Sequence, residues 1–193
     1  MRVSVLGPIS VTDDSGNEPD LSPSLRQLLA VLVAAGKRGM TQDSIAEEVW
    51  GEELPASWES AFRNGVTRLR TRLGKEALLA TSGRYRLNAE LVEVDAWSLI
   101  DLVTDHAESS LCGPSFATYL TGAPFIGIEY SPAVRSMSDS IEASRLQLIR
   151  ARGLNYAKPL HPHELAVLRS YQRSNTLDLE LLELGLASWR AWL

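Results

Sequence analysis

The chain has 193 residues, 45% hydrophobic and 22% charged, enough for one large domain or two small ones with a real core. Its net charge of −5 and pI near 5.3 exclude a protein coated all over in nucleic acid, but not a local basic face. One cysteine, Cys112, excludes an internal disulfide framework and fits a reducing compartment, and no signal peptide or transmembrane span is visible, so the cytoplasm is the expected location.

The first twenty residues read as short strands. Val3 and Val5 alternate with Arg2 and Ser4, Ile9 and Val11 repeat the period of two, and a turn at Asp14-Ser15-Gly16-Asn17 precedes a weaker third run ending at Leu21. Ser22-Pro23 opens a helix. Leu25, Leu28, Leu29, Leu32 and Val33 form its apolar stripe, and Gly36 stops it. Thr41 caps a second helix, with Asp43 in its first turn, a buried face of Ile45, Ala46, Val49 and Trp50, and Gly51 as its stop. After Glu52-Glu53 and Pro55, Ser57 begins a third helix running to Leu73, with Gly74 beyond it. Two short helices joined by a turn, the second one basic, have helix-turn-helix geometry.

Charge is segregated in this region. Residues 60–86 hold seven bases against the single acid Glu76, a local +6 that leaves −11 for the rest of the chain. Such a patch repels itself unless a negatively charged partner relieves it. Stepping about 100° per residue, Phe62, Val66, Leu69 and Leu73 fall within about 60° of arc and form a core face. Ser60, Asn64, Thr67, Arg68 and Thr71 lie opposite, Arg63 at one edge, and Arg70 and Arg72 on the flanks. Asn and Arg suit base edges, Ser and Thr suit bases or phosphates, and flanking Arg sets register on a duplex. Gly65, inside this helix, permits close approach of DNA or of another helix. Next, Ala77-Leu78-Leu79-Ala80, Ser82-Gly83 and Arg84-Tyr85-Arg86-Leu87 read as a hairpin, whose Arg84 and Arg86 would reach neighbouring backbone.

Positions 91–95 leave the first domain, placed at 1–93, and Asp95 caps a helix containing Trp97, Leu99, Ile100 and Val103. The pattern over 94–193 is helical, with breaks at Gly113-Pro114 and Gly122-Ala123-Pro124. A long helix runs from Ser131-Pro132 to about Tyr156, with Val134, Met137, Ile141 and Leu148 on one face. Pro159 and Pro162 interrupt, residues 163–173 resume, and Leu182, Leu186, Trp189 and Leu193 form a last ladder. Antiparallel pairs of this length resemble a helical-repeat domain. The end, one residue after Trp192 and without a polar cap, reads as truncation or as missing repeats.

The order of strands, three helices and a basic hairpin resembles the OmpR-type winged-helix domain. The wording VLGP (5–8), LRQLLAVL (25–32), VWGEELP (49–55), VTRLRTRLG (66–74) and GRYRL (83–87) resembles the Streptomyces antibiotic regulatory protein (SARP) family over about the first 95 residues. YLTGAPFIGIEYSPAV and the long helix after it look like that family's bacterial transcriptional activation domain, a tetratricopeptide-like bundle. The resemblance implies an α+β winged helix followed by an all-α domain. It also implies an activator that binds direct repeats in double-stranded DNA as side-by-side protomers or a homodimer and recruits RNA polymerase. Arg68, Arg70 and Arg72 match the basic stretch of the family's recognition helix, and Arg86 matches its wing arginine. Arg84 stands where the family's motif has glycine.

Other chemistry is poorly supported. His161 and His163, with only Glu164 beside them, lack a metal ligand set, and Cys112 with His106 lacks the pattern of an activated nucleophile. Glu47-Glu48 and Glu52-Glu53 read as a solvated face. No GxxxxGK[ST] phosphate loop occurs, so nucleotide-driven switching within the chain is not expected; without a nucleophile-base constellation, neither an enzymatic activity nor a cofactor is expected. The rival reading is a protein-interaction adaptor that uses both parts as docking surfaces.

Overall fold

The computed structural model describes residues 1–104, 118–153 and 166–171, with side chains to residue 150 in the long helix. The chain divides into two compact units, Met1–Trp97 with Ala123–Asp139, and Ser98–Gly122 with Ser140–Leu193. No described helix is long and apolar enough to cross a membrane.

In the first unit, strands β1 (Arg2–Ser4) and β2 (Ser10–Thr12) pair antiparallel, with Val3 opposite Val11. The expected third run ending at Leu21 is not a strand. Pro19 and Pro23 each lack a ladder donor, and Leu21 is instead buried from an irregular segment. The third strand of this sheet is β6 (Glu93–Val94), which lies parallel to β1.

Helix α1 (Pro23–Ala34) starts with proline in its first turn, as Ser22-Pro23 predicts, although the Ser22 side chain makes no capping bond. It buries more than its stripe. Every residue from Leu28 to Val33 is buried, so α1 is the unit's central helix rather than a one-sided surface helix. Helix α2 (Gln42–Trp50) is capped by Thr41, whose hydroxyl accepts from Ser44 N, and ends at Gly51, where φ is +81°. Helix α3 (Trp58–Leu73) follows, ending before Gly74, and then β4 (Leu78–Thr81) and β5 (Arg84–Leu87) form a hairpin. The short strand β3 (Met40–Thr41) pairs with β5 to complete a second sheet, ordered β3-β5-β4. Three helices with this terminal hairpin are the winged-helix fold.

Asp95 does more than open the next helix, α4 (Asp95–Thr104). Its carboxylate accepts from Val5 N at 2.9 Å, Leu6 N at 3.3 Å and Ala96 N at 2.7 Å, closing the end of β1. Trp97 Nε1 donates to Val33 O, which ties the start of α4 to the end of α1. Residues after Gly122 return to this unit. Phe125, fully buried, donates its N–H to Val5 O, and Ile126 N donates to Gly7 O. Gln27 exchanges two hydrogen bonds with the backbone of Glu129, and Glu48 accepts from Ala133 N at the start of helix α5 (Pro132–Gly153).

In the second unit, Leu99, Leu120, Ile141, Leu148, Leu168 and Tyr171 are buried. Among them Arg145, only 1% exposed, donates to Tyr119 O and Thr121 O and pairs with Glu142, whose other oxygen accepts from Tyr171. A partner at each of its three nitrogens is what allows this guanidinium to be buried. Val134, Ile141 and Leu148 are buried along α5 as the periodicity predicts, with Met137 half-buried. Pro159, Pro162, both ends (163–165 and 172–173) of the helix expected over 163–173, and the ladder from Leu182 to Leu193 lie outside the described residues.

Candidate nucleic-acid interface

Helix α3 separates its two faces as its periodicity predicts. Phe62, Val66, Leu69 and Leu73 are at most 5% exposed, while Ser60, Arg63, Asn64, Thr67, Arg68, Thr71 and Arg72 are all exposed. The apolar side packs on α1, where a Cβ on Gly65 would lie 2.8 Å from Leu28 Cδ2. The glycine therefore serves helix–helix packing on the inner side, and the choice left open by the sequence falls to α1 rather than to DNA.

The hairpin turns on Ser82 (φ +53°) and Gly83 (φ +74°), with Thr81 opposite Arg84. Two positive φ values in a two-residue loop match the right-handed twist of the strands, and glycine carries the second without strain. Tyr85 packs edge-on against Phe62, with ring centroids 4.9 Å apart and planes at 85°, so the wing and α3 share a contact through the core.

The ten predicted contact residues fall into different situations. Arg70 is half-buried and donates Nε and Nη2 to Leu78 O at 3.1 and 3.0 Å, holding β4 against α3. Arg84 donates Nε to Arg38 O at 3.3 Å and Nη2 to Gly39 O at 2.6 Å, holding the wing against the turn before β3. Both guanidiniums thus brace the wing. Arg63 meets Glu59 one turn earlier at 3.5 Å, a largely exposed pair of small energetic weight. Thr67 and Thr71 donate their hydroxyls to Arg63 O and Thr67 O. Arg68 and Arg72 project from the exposed side, and Arg86 is half-buried on β5.

One basic group escaped the sequence reading. Lys37 and Arg38 are exposed on the turn that Arg84 grips, 46 residues away in sequence. A Lys-Arg pair ahead of Gly39 is visible in the chain, but its place beside the wing depends on the β3–β5 pairing.

An exposed basic helix in second position of a helix-turn-helix, braced by a hairpin, is the arrangement of a winged-helix domain. Residues 16–84 match the family model described as transcriptional regulatory protein, C terminal. The chain is similar to Regulatory protein AfsR of Streptomyces griseus, 26% identical over 193 aligned residues, 95% of this chain and 20% of that protein. Regulatory protein AfsR of Streptomyces coelicolor is 35% identical over 85 residues, 44% of this chain and 9% of that protein. The chain therefore spans only a fifth or less of the curated relatives it matches. Among solved structures, Mycobacterium tuberculosis EmbR in complex with a low affinity phosphopeptide aligns with TM-score 0.59 and 19% identity. That alignment covers 98% of this chain and 65% of EmbR, a likeness of fold. The match over residues 16–84 identifies an OmpR-type winged-helix domain of the transcriptional regulatory protein, C-terminal kind, and the likeness to AfsR is consistent with a SARP regulator.

Proposed function

We propose that this chain is a sequence-specific regulator of transcription in the cytoplasm, without enzymatic activity or cofactor. The exposed side of α3 enters the major groove while the wing meets flanking backbone. Residues 1–93 act as the reader, and residues 94–193 act as a tetratricopeptide-like activation module that lends 123–139 to the first compact unit. Protomers bind direct repeats side by side, or as a homodimer, and help recruit RNA polymerase. The observation that carries this reading is the exposed row of Ser60, Asn64, Thr67, Arg68 and Thr71, opposite a buried apolar face and beside a braced basic hairpin. A solvated surface helix needs no such brace on its neighbour, whereas a two-part grip on a duplex does.

The test is selection of bound duplexes from a random-sequence pool, followed by salt titration and footprinting on the selected sites. Enrichment of a motif, with affinity falling steeply as salt rises, is expected from counterion release. Footprinted direct repeats would support side-by-side protomers. Failure to enrich any motif, or affinity indifferent to salt, overturns the DNA reading in favour of a protein-docking role.

A further inference from the structure

Thr67 and Thr71 are exposed on the face of α3 opposite the core, yet neither hydroxyl proton points outward. Thr67 Oγ1 donates to Arg63 O at 2.9 Å, and Thr71 Oγ1 donates to Thr67 O at 3.0 Å. A threonine has one hydroxyl proton, so each residue has spent its only donor on the helix backbone. The same bond stops rotation about χ1 and thereby holds the methyl branch in one direction. Such a side chain offers a groove a fixed methyl and hydroxyl lone pairs. It has no donor for the N7 and O6 acceptors of guanine, nor for O4 of thymine. Its lone pairs can only accept, from adenine N6 or cytosine N4, while its fixed methyl pairs with the thymine C5-methyl by apolar contact.

We propose that Thr67 and Thr71 are specificity-determining residues that read thymine C5-methyl groups in the major groove, an inference that rests on α3 being the groove-facing helix. They lie one turn apart, and Ser60, Asn64, Thr67 and Thr71 follow at i, i+4, i+7 and i+11, so the two methyls sit on a single stripe. The polar groups of the stripe set hydrogen-bonded contacts, and the two threonines favour thymine over cytosine without donating a bond.

The experiment uses the full chain and a duplex selected from a random pool, resynthesised with each thymidine replaced in turn by deoxyuridine, which removes only the C5-methyl. Loss of one buried methyl contact lowers affinity by about three- to fivefold at the positions read. Thr67→Ser and Thr71→Ser keep the hydroxyl bond but lack the methyl, so each abolishes the deoxyuridine effect at its own position. Thr67→Val and Thr71→Val keep a methyl and retain the effect. If no deoxyuridine position changes affinity while binding stays sequence-specific and salt-dependent, the methyl reading is overturned and the DNA reading stands. If both serine variants respond to deoxyuridine as the unsubstituted chain does, another residue reads the methyl and the assignment falls. If no duplex binds in a salt-dependent way, the proposed function fails and takes this inference with it. Circular dichroism checks that the serine and valine variants keep the helix.

Discussion

Arg84 Nη2 donates to Gly39 O at 2.6 Å, and the glycine that supplies this carbonyl has no room for a side chain. Gly39 sits at φ +69°, and a Cβ on it would lie 2.3 Å from Tyr85 O. The wing is thus held from both directions, by a guanidinium reaching out and by a backbone that fits closely under Tyr85. Gly39→Ala is expected to cost about 1–3 kcal/mol, combining left-handed strain with displacement of backbone that cannot yield locally. Urea unfolding reads it, and an unchanged midpoint would show that the wing moves freely.

Arg68 and Arg84 are expected to behave differently although both are exposed arginines of the basic segment. Arg68→Ala weakens binding to DNA and reduces the salt slope by about 0.9 if it neutralises one phosphate. Arg84→Ala destabilises the first unit by about 1 kcal/mol, because the carbonyls of Arg38 and Gly39 lose a charged donor. Arg84→Lys restores the charge but not the two-carbonyl fork, so it keeps most of that loss. Anisotropy titrations over a salt series, paired with unfolding curves, separate the two roles. Equal changes in salt slope for both alanine variants would return Arg84 to the DNA face.

Gly65 gives a sign test. Helix propensity alone makes Gly65→Ala stabilising by about 1 kcal/mol. The contact with Leu28 Cδ2 opposes that gain, because Leu28 is 3% exposed and has little space into which to shift. The expected result is no gain, or a loss, in the native background, and a gain restored when Leu28→Ala vacates the site. A double-mutant cycle by denaturant unfolding should show coupling of about 1 kcal/mol; additive values would mean that α1 and α3 do not press on each other here.

Asp95 gathers backbone donors from two elements, so its loss should exceed that of an ordinary helix cap. Asp95→Ala strands the N–H groups of the buried residues Val5 and Leu6, at a cost of about 2 kcal/mol. Asp95→Asn retains one acceptor oxygen and should recover part of that cost. Amide exchange at Val5 and Leu6 accompanies the stability measurement, and unchanged protection in Asp95→Ala would remove the assigned role.

Much of the basic helix α3 was legible because its information is local. The spacing of Phe62, Val66, Leu69 and Leu73 determines which side of α3 is buried, since a helix repeats every few residues whatever surrounds it. Ser82-Gly83 marks the hairpin for a similar reason, because positive φ is a property of one or two residues. The stripe of α1 was legible only in part. Its true burial, which includes Ala30 and Val31, depends on elements packed around it and not on its own period.

What periodicity could not carry are the pairings between distant segments. Val5 meets Asp95 across 90 residues, and Gln27 meets Glu129 across 102. Neither pairing leaves a repeat or composition signal, because backbone groups are the same at every residue. Arg70 and Arg84 illustrate this at the candidate site. By sequence they are two more cations in a +6 segment, and only the approach of Leu78 O, Arg38 O and Gly39 O makes them braces. The sequence by itself determined that a basic helix with one apolar face would be followed by a tight basic hairpin, through periodicity and turn chemistry that act within a few residues. Only the tertiary structure decided which cations are spent on carbonyls and which stay on the surface, since that depends on where distant backbone acceptors come to rest.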